Sequence, residues 1–174
     1  MAHGPRYAVK FRRRREGKTD YRRRLGLLKG GTTRLVVRKT NTRTIVQFVD
    51  FDPKGDVVRA TATTADLKKF GWSKATTSTP SSYLVGLLAA RRAVDAGIEG
   101  AIVDLGLLEP VKGAAVFAAV RGALDAGVKI PHDKAVLPDG ERLWGAHIDK
   151  GLKAPFESAK KSILETKNKE NGAQ

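Results

Sequence analysis

The chain has 174 residues, no cysteine and a formal charge of +15, so it has room for one domain with extensions but for neither a disulfide nor a thiolate metal site. No apolar run approaches the roughly 20 residues of a membrane span, and the N-terminus lacks the apolar stretch of a secretory signal. With a pI near 10.3 the sequence predicts a soluble intracellular protein with a standing polyanionic partner, because a field of this size opposes compaction unless anions offset it.

The charge is concentrated at one end. Residues 1–43 hold 15 of the 33 Lys and Arg against only Glu16 and Asp20, a local charge of +13, while the rest of the chain carries 18 basic and 16 acidic groups, or +2. Residues 1–18, with the run Lys10-Phe11-Arg12-Arg13-Arg14-Arg15, are too charged and too poor in apolar groups to fold alone. A basic start of this kind imitates an organelle transit peptide, but the acidic residues and paired elements that follow argue against one. Thr19 or Asp20 is expected to cap a short helix with Tyr21, Leu25 and Leu28 on one stripe, Arg22, Arg23 and Arg24 fanned over its other faces, and Gly30-Gly31 at its end.

Three strands are predicted next, at Arg34–Lys39, Thr44–Phe51 and Val57–Thr63, joined by Thr40-Asn41-Thr42 and by the turn Asp52-Pro53-Lys54-Gly55. The third alternates Val58, Ala60 and Ala62 against Arg59, Thr61 and Thr63, so the meander has one apolar face for helices. The other presents a line of Arg34 or Arg38 with Gln47, Arg59 and Thr61, the strand parity being open. After a polar linker, Thr79-Pro80 starts a helix whose segment Tyr83–Ala96 is apolar nearly all round and therefore buried, closed by Gly97. Ala101–Leu108 reads as a parallel strand covered on both faces. Ala114–Ala126 is a second helix, with Val116, Val120 and Leu124 on one stripe. Ala93-Val94-Asp95-Ala96-Gly97-Ile98 is echoed by Ala123-Leu124-Asp125-Ala126-Gly127-Val128, an architectural repeat of two helices that end alike and feed successive strands. From Ile130 the chain is rich in proline and charge, with a last helix expected from Pro155 to Lys167 and a frayed tail.

Clustered arginines grip phosphate through planar forks, and Tyr7, Phe11 and Tyr21 offer rings for stacking on bases. A nuclear-import signal or a nonspecific basic tail is the plain alternative, but the basic residues continue into folded elements. RNA is preferred to DNA because no helix-turn-helix, zinc-finger or zipper pattern occurs. The loop Arg38-Lys39-Thr40-Asn41-Thr42-Arg43 is either a second phosphate contact or an ordinary hairpin loop. Catalytic patterns are poor. Asp52 is what its own turn requires, so pairing with Asp50 around a metal is unfavoured, and His3, His132 and His147 have no ligand at helical spacing. The glycines at 26–31 lack a phosphate-loop lysine, and the hydroxyls at 76–82 have no paired base. An RNA-processing enzyme and a nonspecific basic adaptor are the competing function classes.

The segments KFRRRREGKTDYRRRLGLL at 10–28 and RLVVRKTNTRTIVQFVDF at 34–51 closely resemble the family of the universal ribosomal protein eighteen of the large subunit. SYLVGLLAARRAVDAGI at 82–98, VFAAVRGALDAGVKIPH at 116–132 and ERLWGAHI at 141–148 match its archaeal and eukaryotic branch. The similarity spans residues 3–150, in order and at family spacing, while the last 25 residues resemble nothing familiar. The chain is shorter than eukaryotic members with their long C-terminal extensions, which points to an archaeal source.

The resemblance implies an α/β three-layer domain with a mixed sheet, divided as a basic arm at 1–31, a core at 32–131 and a C-terminal extension at 132–174. It implies a non-catalytic constituent of the large subunit that binds 5S rRNA and attaches it to the large (23S) rRNA in the central protuberance. Neighbouring ribosomal proteins would be further partners, with no cofactor, metal, membrane or small-molecule substrate. The residues expected on RNA are Lys10, Arg12, Arg13, Arg14, Arg15, Lys18, Tyr21, Arg22, Arg23 and Arg24, then Arg34, Arg38, Asn41, Arg43 and Gln47.

Overall fold

Leu35 and Val37, Val46 and Phe48, and Ala60 and Ala62 occupy alternate positions of three consecutive strands, and all six are buried on one shared face. In the computed structural model, which describes residues 4–165, these strands are β1 (Arg34–Lys39), β2 (Thr44–Asp50) and β3 (Val57–Thr63). A fourth, β4 (Ile102–Asp104), completes a mixed sheet of order β3-β2-β1-β4. The three hairpin-linked strands pair antiparallel, and β4 runs parallel to β1 with Arg34 opposite Ile102. The turn at 52–55 forms as expected, Gly55 N donating to the Asp52 carbonyl at 3.0 Å.

The register shifts between Phe48 and Val49. The apolar line expected on β3 therefore keeps Ala60 and Ala62 but loses Val58, which is exposed. β4 is also shorter than the predicted 101–108 and only half covered. It ends because Gly106 turns the chain at φ +63°, with its N–H on the Asp104 carboxylate at 2.9 Å.

Helix α3 (Thr79–Asp95) crosses the buried face of the sheet and is covered along nearly its whole first three turns. Its cap is Ser78, one residue earlier than expected, so Pro80 takes the second helical position. Against α3 lies α4 (Ala115–Asp125), and the two backbones touch at glycines. A Cβ on Gly86 would overlap the Ala119 carbonyl, and one on Gly122 the Tyr83 carbonyl. The stripe facing α3 is thus built from small residues such as Ala119 and Ala123 rather than ending on Leu124, which is only half buried.

The sequence echo has a physical meaning. Both helices finish in the same left-handed glycine cap, Gly97 N bonding Val94 O and Ile98 N bonding Ala93 O, as Gly127 and Val128 do with Leu124 and Ala123. The segments leaving these caps meet side by side in parallel, through Lys129 N to Glu99 O at 2.9 Å and Ala101 N to Lys129 O at 3.0 Å. Beyond them, α5 (Gly140–Trp144) and α6 (Lys153–Glu165) pack on α3. Phe156 tilts against Tyr83 with ring centroids 5.3 Å apart, and Leu137, Leu152, Ala159 and Ile163 join the core of the sheet and α3. Helix α6 starts two residues before the predicted Pro155; its predicted end at Lys167 and the frayed tail lie outside the described residues. No helix among the described residues is long and apolar enough to cross a membrane.

Candidate nucleic-acid interface

The basic run is not wholly irregular. Arg12–Arg15 form a single exposed turn, α1, closed by Gly17 at φ +63° with Lys18 N on the Arg13 carbonyl at 2.9 Å. Successive helical residues point about 100° apart, so the four guanidinium groups radiate outward instead of stacking into one column. Arg13 Nε reaches Thr19 Oγ1 at 2.9 Å, and Phe11 leans on Tyr21 with centroids 5.0 Å apart, fastening the arm to the next helix.

That helix, α2 (Tyr21–Lys29), is capped by Asp20, whose carboxylate accepts from Arg22 N at 2.9 Å and Arg23 N at 3.2 Å. Three arginines in the first turn oppose the helix dipole. Arginine is a good helix former wherever it stands, so the cost is electrostatic, and Asp20 beside Arg23 at 3.6 Å and Asp56 beside Arg24 at 2.8 Å offset part of it. The covered side is Tyr21, Arg24, Leu27 and Leu28, whereas Leu25, expected on the apolar stripe, is exposed.

Arg24 turns back to the body and opens a relay of ion pairs. Its Nη2 meets Asp56 at 2.8 Å; the same Asp56 oxygen takes Arg34 Nη2 at 2.7 Å; Arg34 Nη1 meets Asp104 at 3.1 Å; and Asp104 takes Arg38 Nη2 at 2.9 Å. Five alternating charges thereby tie α2, the start of β3, β1 and β4 together. Burial pushes the Asp56 carboxyl up, but hydrogen bonds and charge from Arg24 and Arg34 outweigh it and leave it below the ordinary carboxylate value. Asp104 behaves alike: burial raises it, but Arg38, the Gly106 N–H and Arg34 outweigh that and leave it below the ordinary value.

One expectation is corrected here. Arg34 does not face an open surface. Its side chain is 2% exposed, because its guanidinium bridges two aspartates inside the molecule. Arg38 lies on the same outer sheet face and remains 41% exposed. The pairing Val36–Gln47–Thr61 settles the strand parity, since Arg34, Arg38, Gln47 and Thr61 all sit on the face away from α3. Arg59 is bent aside toward Asp50, 3.8 Å away.

The hairpin loop between β1 and β2 is held by Thr40, whose hydroxyl bonds Arg43 O at 3.0 Å and receives Arg43 N at 3.1 Å, and by Thr76, which bonds Thr42 O at 2.9 Å. That fixes the loop and leaves Asn41 and Arg43 exposed. Lys10, Arg12–Arg15, Lys18, Arg22 and Arg23 are exposed as well, while Tyr21, Arg24 and Gln47 are half buried. Asp50 accepts from Thr33 at 2.6 Å, joining the end of β2 to the start of β1, and Asp52 accepts from Lys54 N at 2.7 Å within its own turn. Sequence reasoning missed Asp56 and Asp104 as organisers of this surface. Asp104 left a trace, a lone charge in the apolar run Ala101-Ile102-Val103-Asp104-Leu105, since a charge in a buried strand needs a partner.

Residues 5–99 match the family model described as ribosomal large subunit proteins 60S L5 and 50S L18. The chain belongs to this family. The match runs from the arm through the meander and α3, the parts that carry Arg12–Arg15, Arg22, Arg23 and Arg43. Proteins named large ribosomal subunit protein uL18 resemble it over more than the family segment. That of Methanoculleus marisnigri is 53% identical over 148 residues, 85% of both chains. That of Haloarcula marismortui is 50% identical over 161 residues, 91% of this chain and 86% of its own. That of Korarchaeum cryptofilum is 51% identical over 148 residues, 85% and 76%. All three relatives are archaeal, and the L5/L18 family consists of structural ribosomal proteins, not enzymes.

Proposed function

We propose that this ribosomal protein binds 5S rRNA through the arm, α2 and the β1–β2 loop, and attaches it to the large rRNA in the central protuberance. What supports this is the exposed cationic run from Arg12–Arg15 through Arg22 and Arg23, together with Arg43 exposed on a fixed loop. Radiating guanidiniums with few acidic partners suit a folded RNA whose phosphates approach from several directions. Asn41 and Gln47 supply neutral polar contacts to ribose or base edges. Arg34 is assigned to holding Arg38 and Arg24 in place rather than to RNA. Residues 1–31 act as the gripping arm, 32–131 as the supporting core and 132–174 as an extension toward neighbouring ribosomal proteins.

Filter binding of 5S rRNA tests this. Arg22→Ala and Arg43→Ala are each expected to weaken binding and to flatten the log–log salt slope by about one unit, as loss of a single phosphate contact does. Lys150→Ala, in the C-terminal segment, is expected to leave both unchanged. Equal losses in all three variants would mean that net charge alone attracts the RNA.

A further inference from the structure

The structure assigns a second RNA-binding feature: we propose that the groove between α2 and the β4–α4 connection seats unpaired nucleotides, bases on its apolar floor and phosphates on its cationic rim. This rests on the RNA reading above and names the form of RNA that enters. The groove encloses about 1260 Å³, beyond the roughly 300–1,000 Å³ of a pocket for one small molecule, so it has room for more than one nucleotide. Its floor includes Leu27, Val103, Leu105, Leu108, Phe117 and Val120.

The rim decides the occupant. Arg13, Lys18, Arg23, Arg38 and Lys39 border the groove, and its three acidic residues are engaged within the protein. Asp20 caps α2, Asp104 holds Arg34 and Arg38, and Asp133 accepts from Ala135 N at 2.9 Å. The lining therefore offers surplus positive charge around an apolar interior, the complement of a nucleotide with its base exposed. A duplex keeps its base faces stacked and has nothing to lay on such a floor; single-stranded loops and bulges do. The groove is also continuous with the proposed interface, since Arg13 and Lys18 belong to the arm, and Lys39 and Thr40 to the end of the hairpin. Arg38 forms its wall beside Gly106, where even an added Cβ would come within 3.0 Å of the guanidinium carbon.

Gly26 provides a charge-neutral probe. It lines the groove, and a Cβ there meets nothing within 4 Å, so Gly26→Trp obstructs the space without disturbing packing and favours the helix over glycine. Leu164→Trp, at an exposed position of α6 that does not line the groove, is the control. The expected result is an at least tenfold loss of 5S rRNA affinity for Gly26→Trp, with the salt slope kept and Leu164→Trp near wild type. Photo-crosslinks from 4-thiouridine-substituted 5S rRNA should map to residues 105–108 of the wild-type chain. Equal affinities for Gly26→Trp and wild type, equal losses in both tryptophan variants, or loss of a ribosomal protein partner without loss of RNA would overturn the assignment. Should the wild-type chain not bind 5S rRNA at all, the reading above fails by itself. The groove is then judged on oligouridine binding, which Gly26→Trp must weaken if the assignment holds and leaves unchanged if it does not.

Discussion

Arg34 shows how one side chain can serve a surface it never joins. It is the largest of the fully buried side chains, and its two terminal nitrogens are committed to Asp56 and Asp104. A guanidinium in that position is tolerable only while both carboxylates stay ionised beside it. Asp104→Ala leaves Arg34 half unpaired and is expected to cost about 3–5 kcal/mol in urea unfolding, whereas Glu165→Ala, which breaks the exposed Lys161 pair, should change stability by about 0.5 kcal/mol or less. The relay also makes stability depend on acid. Because the folded Asp56 and Asp104 carboxyls titrate below the ordinary 3.8, their contribution is complete above that value and is lost as pH falls through their depressed values. The stability gap between wild type and Asp56→Asn should therefore hold steady from neutrality to about pH 5 and narrow below about pH 4; a gap that stays constant into acid would show that Asp56 is not charged in the relay. Of this network only Asp104 left a trace in the sequence, as a lone charge in an apolar run. Residues 34, 56 and 104 are far apart along the chain; the antiparallel meander carries Asp56 to Arg34, and the parallel docking of β4 on β1 brings Asp104 there.

At the scale of elements, the sequence was more readable where local chemistry decides. The meander, the 52–55 turn and the twin glycine caps follow from alternation, from Pro and Gly placement and from a repeated hexapeptide, and all of them form. Leu25, Val58 and the long form of β4 went astray for tertiary reasons. Arg24 displaced Leu25 from the covered face because Asp56 offers it a partner, a bulge turned Val58 outward, and Gly106 ended β4 early. The α3–α4 crossing could not be foreseen either, because Gly86 and Gly122 look like defects in a helix until two backbones are seen to meet there. Gly86→Ala improves intrinsic helix propensity, yet its Cβ has to displace the Ala119 carbonyl. The net effect should be a loss of about 2–3 kcal/mol in thermal or urea unfolding, the magnitude of core overpacking. Stabilisation by this substitution would mean that the helices stand further apart.

Across the whole molecule, charge and fold are divided. Residues 1–43, which are the arm, α2 and β1 with its loop, carry +13 of the +15, and the rest of the chain, which holds most of the core, carries +2. α1 contributes no buried residue, so removing residues 1–18 should leave cooperative unfolding of the rest nearly unchanged. The most direct measurement is the affinity of full-length and 1–18-deleted protein for 5S rRNA across a salt series. The deletion removes seven Lys and Arg, so the account predicts a slope flatter by several units, at about 0.7–0.9 per lost phosphate contact, and a fall in affinity of orders of magnitude at physiological salt. The same slope and affinity in both proteins would contradict it.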